Sequence, residues 1–84
     1  MFFVYLLRCK DNSLYCGQTN NIEKRIQEHN SSGMKSAKYT KGRGPTELVY
    51  FEKYNSLSSA LKREYEIKQF SKIQKERLIT RKKL

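Results

Sequence analysis

An α+β fold, one small sheet with helices packed on it, is what this sequence predicts. Three observations carry that expectation. Apolar, β-prone runs are separated by turn chemistry; helix starts carry a capping residue, two of the three with Glu or Gln three positions on; and 84 residues leave room for a single domain, 1–84. The resulting order is β-β-α-β-α-α.

The first run, "FFVYLLRC" (2–9), puts Phe3, Tyr5 and Leu7 on one face and Phe2, Val4 and Leu6 on the other. Apolar residues on both faces predict a central strand covered on both sides. "KDNS" supplies a turn and "LYCGQ" (14–18) a second strand, so the pair reads as a hairpin. A three-residue loop of Asp11, Asn12 and Ser13 is expected to pair Cys9 with Tyr15. That register gives Tyr5, Tyr15 and Gly17 a common face and sends Cys9 and Cys16 to different faces; a slip of one residue would part the tyrosines. Asn20, with Glu23 three residues on, predicts a capped helix to about residue 30. Residues 31–45 read as a long polar, basic connection with one helical turn over 36–40, and "TELVYFEKY" (46–54) as a third strand. Ser56 is expected to cap a helix reaching about residue 70, and Ser71 with Gln74 to open a last one that ends in "RKKL".

Lys and Arg number 18 against 8 acidic residues, a formal charge of +10. Such a surface favours a polyanion, either nucleic acid or acidic lipid. A domain of this size buries roughly 60% of its unfolded surface, so any chemistry must use few residues on a shared surface. No apolar run approaches the ~20 residues of a membrane span, and Met1 leads straight into a strand, which gives a cytoplasmic location as the expectation. Cys9 and Cys16 with a single histidine make a poor zinc framework, and a reducing compartment disfavours a disulfide.

Some polar residues fall where apolar ones belong. At about 100° per residue, Leu57, Ala60, Leu61 and Ile67 define the expected core stripe of the second helix, with Glu64 near its centre and Lys68 just beyond. Either the two form an ordinary i,i+4 ion pair, or Glu64 points from the rim of the core into a cleft. On the first helix Ile22 and Ile26 mark the buried side, with Arg25 and His29 beside them. A surface cation and a structural histidine explain these two as readily as a site does. Gly17 within a strand marks a bulge or a close approach by another group. "KYTKGRG" (38–44) interleaves Tyr39 with Lys38, Lys41 and Arg43, a weak signal for stacking on a base and contacting phosphates.

This constellation resembles the GIY-YIG nuclease superfamily. Its first motif stands here as Phe3-Val4-Tyr5 and its second as Tyr15-Cys16-Gly17; Arg25 and His29 follow Gly17 by eight and twelve residues, and Glu64 matches the metal-binding glutamate. The similarity runs from residue 3 to about 79 and is greatest to the small single-domain UPF0213 members, in which "HN", "AKYT" and "ELVYF" recur at these places. Glycine and isoleucine are missing from the first triplet, and "SKIQKERLI" lacks the asparagine many family nucleases carry in the last helix region. The resemblance implies a three-stranded antiparallel sheet flanked by helices and cleavage of phosphodiester bonds with one divalent metal.

On that resemblance, Glu64 holds one Mg²⁺ or Mn²⁺, Arg25 stabilises phosphoryl charge, and Tyr15 orients water or phosphate. Tyr5 accepts a proton and His29 relays it, or the two exchange roles. Lys38, Tyr39, Lys41, Arg43 and Lys68 are expected to contact nucleic acid. The expected function is a metal-dependent endonuclease acting on branched, damaged or single-stranded DNA. A nucleic-acid-binding module with little or no catalysis is the alternative, and a protein–protein adaptor a third class. A steep salt dependence of nucleic-acid binding would disfavour the adaptor.

Overall fold

The computed structural model describes residues 1–30 and 46–81, apart from the side chains of His29 and Asn30. Its elements run β1 (Phe2–Arg8), β2 (Leu14–Thr19), α1 (Ile22–Asn30), β3 (Glu47–Tyr54), α2 (Leu57–Lys68) and α3 (Lys72–Arg81). The strands form one antiparallel sheet in the order β2-β1-β3. β1 is central, as its two apolar faces predict, and Val4, Tyr5, Leu6 and Leu7 are all buried. The helical turn expected over 36–40 lies outside the described residues.

The hairpin register differs from expectation by two positions. Leu7, not Cys9, stands opposite Tyr15, and Tyr5 stands opposite Gly17. The loop still has three residues, but they are Lys10, Asp11 and Asn12, closed by the Cys9 amide donating to the Ser13 carbonyl at 2.8 Å. Asn12 takes φ 70°, the left-handed residue that ends such a loop, and Asn tolerates it better than most side chains. A two-position shift preserves parity, so Tyr5, Tyr15 and Gly17 still share a face.

Cys16, Val4, Leu6 and Tyr50 line the opposite face and pack against Ala60 and Ile67 of α2. Phe70, Leu78 and Ile79 extend this core toward α3. Burying a side chain such as Leu6 or Ile67 contributes about 1.5–3 kcal/mol. A bulge in β3 opposite Leu6 and Leu7 leaves Val49 without a partner in β1 and adds local twist.

The α2 stripe is narrower than the sequence suggests: Leu57 and Leu61 are 43% and 44% exposed, and only Ala60 and Ile67 are buried in the core. The cap of α1 also differs. Asn21, not Asn20, accepts from the Lys24 amide at 3.1 Å, while the Thr19 hydroxyl takes the Asn21 amide. The other caps stand as predicted. Ser56 Oγ accepts from the Ser59 amide, and Ser71 and Gln74 exchange reciprocal hydrogen bonds of 2.8 and 3.2 Å.

Two polar clusters tie the helices to the sheet. Arg8 grips Glu76 of α3 through both nitrogens at 2.8 and 2.6 Å, and Lys72 donates to the Asn12 carbonyl. Glu52 of β3 accepts from Arg63 of α2 at 2.9 and 3.1 Å and from the Tyr50 and Tyr54 hydroxyls.

Candidate active site

β1 and β2 bring two tyrosines together over a glycine. The Tyr5 and Tyr15 rings lie 6.4 Å apart between centroids, tilted at 47°. Gly17, across from Tyr5, is where the phenol comes to rest. A Cβ at that position would stand 2.5 Å from Tyr5 Oη, 2.8 Å from its Cζ and 3.0 Å from Tyr15 Cε2. No real Cβ sits so close, so glycine is required for space.

Arg25 reaches this pair from α1. It donates to the Tyr5 hydroxyl and, through Nη1, to Glu28 Oε1 at 2.9 Å. Glu28, itself half-buried, thus helps set where the guanidinium points. The sequence reading missed Glu28, although its spacing of three from Arg25 on a helix was the signal for it. Burial pushes the Tyr5 phenol up to about 12, with Arg25 pulling the other way and Tyr15 adding to the rise. Tyr5 at rest is therefore a neutral hydroxyl, 1% exposed.

Glu64 lies on α2, which packs on the other face. Arg63 turns from this helix toward β3, and Glu64 leans to the β2 border. The turn that carries it is held there by Cys16 Sγ, which donates a long 4.0 Å bond to the Glu64 carbonyl oxygen. Cys16 is itself flanked by Tyr15 and Gly17. The Glu64 carboxylate is 17% exposed and pairs with Lys68 Nζ at 3.1 Å. Burial pulls the Lys68 ammonium down, but Glu64 outweighs it, with Tyr15 and Cys16 adding, and the net direction is up. Of the two sequence alternatives for Glu64, the structure shows the i,i+4 ion pair with Lys68. Burial and the neighbouring Glu64 raise the Cys16 thiol to about 11, so it is no nucleophile at neutral pH.

The structure therefore brings Tyr5, Tyr15, Gly17 and Arg25 together, with Glu64 and Lys68 at the border of the same strand. His29 stands on α1 one turn beyond Arg25, but its side chain lies outside the described residues, as do Lys38, Tyr39, Lys41 and Arg43. Among the described residues no group of three or more His, Cys, Asp or Glu could hold a metal ion. A single carboxylate nonetheless fits a hard divalent ion, because Mg²⁺ retains several waters and takes other ligands from substrate phosphate. An open groove along α3, lined by Lys72, Ile73, Glu76, Arg77, Thr80 and Arg81, lies away from the tyrosines.

Residues 1–77 match the GIY-YIG catalytic domain. The chain belongs to the GIY-YIG nuclease family. It is similar to a UPF0213 protein of Clostridium perfringens, 52% identical over 84 residues that cover 100% of this chain and 88% of that one. A UPF0213 protein of Staphylococcus haemolyticus is 56% identical over 77 residues, 92% of each. The solution structure of the UPF0213 protein BH0048 from Bacillus halodurans superposes with a TM-score of 0.62 at 44% identity, covering 98% of this chain and 86% of that one. The three-stranded antiparallel sheet and its helices are thus the GIY-YIG fold. No helix among the described residues is long and apolar enough to cross a membrane.

Proposed function

We propose that this GIY-YIG domain is a metal-dependent endonuclease that hydrolyses phosphodiester bonds in branched, damaged or single-stranded DNA. The observation that carries this reading is the contact of Tyr5 with Arg25 over Gly17, with Glu64 on the α2 turn that Cys16, between Tyr15 and Gly17, contacts. A phosphoryl group needs planar cationic donors, a hydroxyl to place water and a hard acid, and these residues supply or hold each of them. One Mg²⁺ or Mn²⁺ held by Glu64 would supply Lewis acidity to the phosphoryl oxygens. Arg25, steadied by Glu28, binds the phosphate as negative charge grows on it. Tyr5 orients the attacking water and takes its proton, and Tyr15 positions the phosphate beside it. His29, one turn along α1, is the relay or the alternative base. Lys68 and, in the 38–44 segment, Lys38, Tyr39, Lys41 and Arg43 hold the flanking strand. The basic surface, with its net charge of +10, supports nucleic acid as substrate and carries no sequence specificity of its own.

Purified protein incubated with duplex, single-stranded and branched DNA, with Mg²⁺ or with EDTA, tests the reading. Metal-dependent products from the wild type and none from Glu64→Ala are expected, with the fold and the DNA affinity of the variant retained. A variant that cuts at the wild-type rate removes Glu64 from the metal. DNA binding without products under every divalent metal tried would establish the binding-module alternative.

A further inference from the structure

Three large side chains of α2 face solvent where an amphipathic helix would bury them. Leu57 is 43% exposed, Leu61 44% and Tyr65 70%. They are spaced i, i+4 and i+8, one continuous strip along the helix. Going round the helix from the candidate metal carboxylate, the order is Glu64, Leu57, Lys68, Leu61 and Tyr65, all within roughly 100° of arc. The strip therefore begins at Glu64 and runs outward, away from Arg63 and the β3 side. Lys68, 50% exposed, stands within it, and exposed Lys62 lies on its outer flank. Contiguous exposed apolar surface marks a binding site more often than chance.

We infer that this strip is a stacking shelf for an unpaired nucleobase adjoining the scissile phosphate, with Tyr65 as its platform. The inference rests on the nuclease reading above and names its substrate class: single-stranded or flapped nucleic acid. Charge complementarity selects this occupant. An aromatic ring and aliphatic side chains interleaved with lysines take a base face and its phosphates together, whereas a wholly apolar partner would leave those ammonium groups to desolvate. In an intact duplex the base faces are stacked on one another, so the shelf discriminates between strands that have free bases and strands that do not.

Binding in EDTA separates this inference from catalysis. Fluorescence anisotropy of an oligo-dT 15-mer and of a 15-base-pair duplex at fixed low salt should show Tyr65→Ala weakening the single strand about 5- to 100-fold, with the duplex unchanged. Tyr65→Phe should keep most of the affinity. Because the chain has no tryptophan, Tyr65→Trp is a single reporter whose emission should be quenched by the 15-mer and little affected by the duplex. Equal affinity of wild type and Tyr65→Ala for the 15-mer would overturn the shelf, as would an equal loss for both ligands. So would sedimentation as a dimer that Tyr65→Ala converts to monomer, since a second copy would then own the strip. Absence of salt-dependent binding to either ligand would instead bring down the nuclease reading itself.

Discussion

Gly17 and Tyr5 form a matched pair, and changing either shows what the other is for. Gly17→Ala drives a methyl group into the Tyr5 phenol, a side chain only 1% exposed, so one of the two must shift. We expect the variant to lose about 1–3 kcal/mol of stability, as over-packed sites do, and to lose the contact between Tyr5 and Arg25 as well. Chemical denaturation of Gly17→Ala, Tyr5→Ala and the double variant checks this. The double variant should be markedly more stable than the sum of the singles predicts, and strict additivity would show that the two do not interact. Proton transfer belongs to the same scale. With the Tyr5 phenol raised to about 12, its ionised fraction grows tenfold per pH unit throughout the neutral range. If Tyr5 is the base, the cutting rate should climb with unit slope between pH 6 and 9 in a pH–rate profile. A plateau beginning near the ordinary histidine value of about 6.5 would transfer the role to His29.

At the scale of elements, much was legible in the sequence, and the exceptions have physical causes. The strands and the caps at Ser56 and Ser71 followed from patterns in which each donor has an obvious local acceptor. Hairpin register was legible only to parity: alternation fixes which face Tyr5 and Tyr15 occupy, but sliding by two preserves every face. The choice fell to Asn12, which accepts a positive φ and so closes the loop one residue earlier. Asn20 and Asn21 are chemically identical caps, and the Thr19 hydroxyl, by taking the Asn21 amide, decides between them. Leu57 and Leu61 misled because a periodic stripe reports apolar character and not the width of the surface beneath it. A sheet of three strands is too narrow to cover the whole stripe. Of the candidate site, parity placed Tyr5, Tyr15 and Gly17 on one face, whereas the residues alone left Arg25 open between a surface cation and a site group, and only the family resemblance pointed to the second. Glu28 was not legible, because an i,i+3 ion pair is commonplace on any helix. The cluster at Glu52 also went unread, since its partners come from β3 and α2. Glu52→Ala should therefore destabilise the domain by about 2–3 kcal/mol, because Arg63 and two tyrosine hydroxyls lose an acceptor at once. Ser71→Ala, which removes half of a reciprocal cap, should cost about 1 kcal/mol. Thermal or denaturant unfolding followed by circular dichroism measures both.

At the scale of the whole molecule, ionisation sets the pH limits of the fold. Burial lifts the Tyr5, Tyr50 and Tyr54 phenols to about 12, with the Glu52 carboxylate adding to the rise for the latter two. A group whose pKa is higher folded than unfolded contributes stability that is complete below the unfolded value, near 10, and is lost as pH rises toward 12. Glu52 and Glu76 shift the other way. Burial raises Glu52, but Arg63 and the two tyrosine hydroxyls together outweigh it; Arg8 lowers Glu76. Their contribution is present above the ordinary carboxylate range and is lost as pH falls through their depressed folded values. The melting temperature should accordingly be highest between about pH 5 and 10 and fall on both sides. An ultraviolet titration should find Tyr5, Tyr50 and Tyr54 ionising near 12, the same group whose ionisation accompanies the alkaline loss.

Because β1 runs through the middle of the sheet, neighbouring positions on it answer to different requirements. Val4 and Leu6 belong to the core shared with α2, while Tyr5 between them faces Arg25. A substitution scan along this strand should therefore lower the melting temperature at each of the four buried positions from Val4 to Leu7, and change DNA handling at Tyr5 as well. The two readouts cannot be tuned far apart, since any backbone movement that accommodates a change at Leu6 also displaces the tyrosine beside it. One strand is thus both the keel of the sheet and a wall of the candidate site, which leaves little freedom to vary the one without the other.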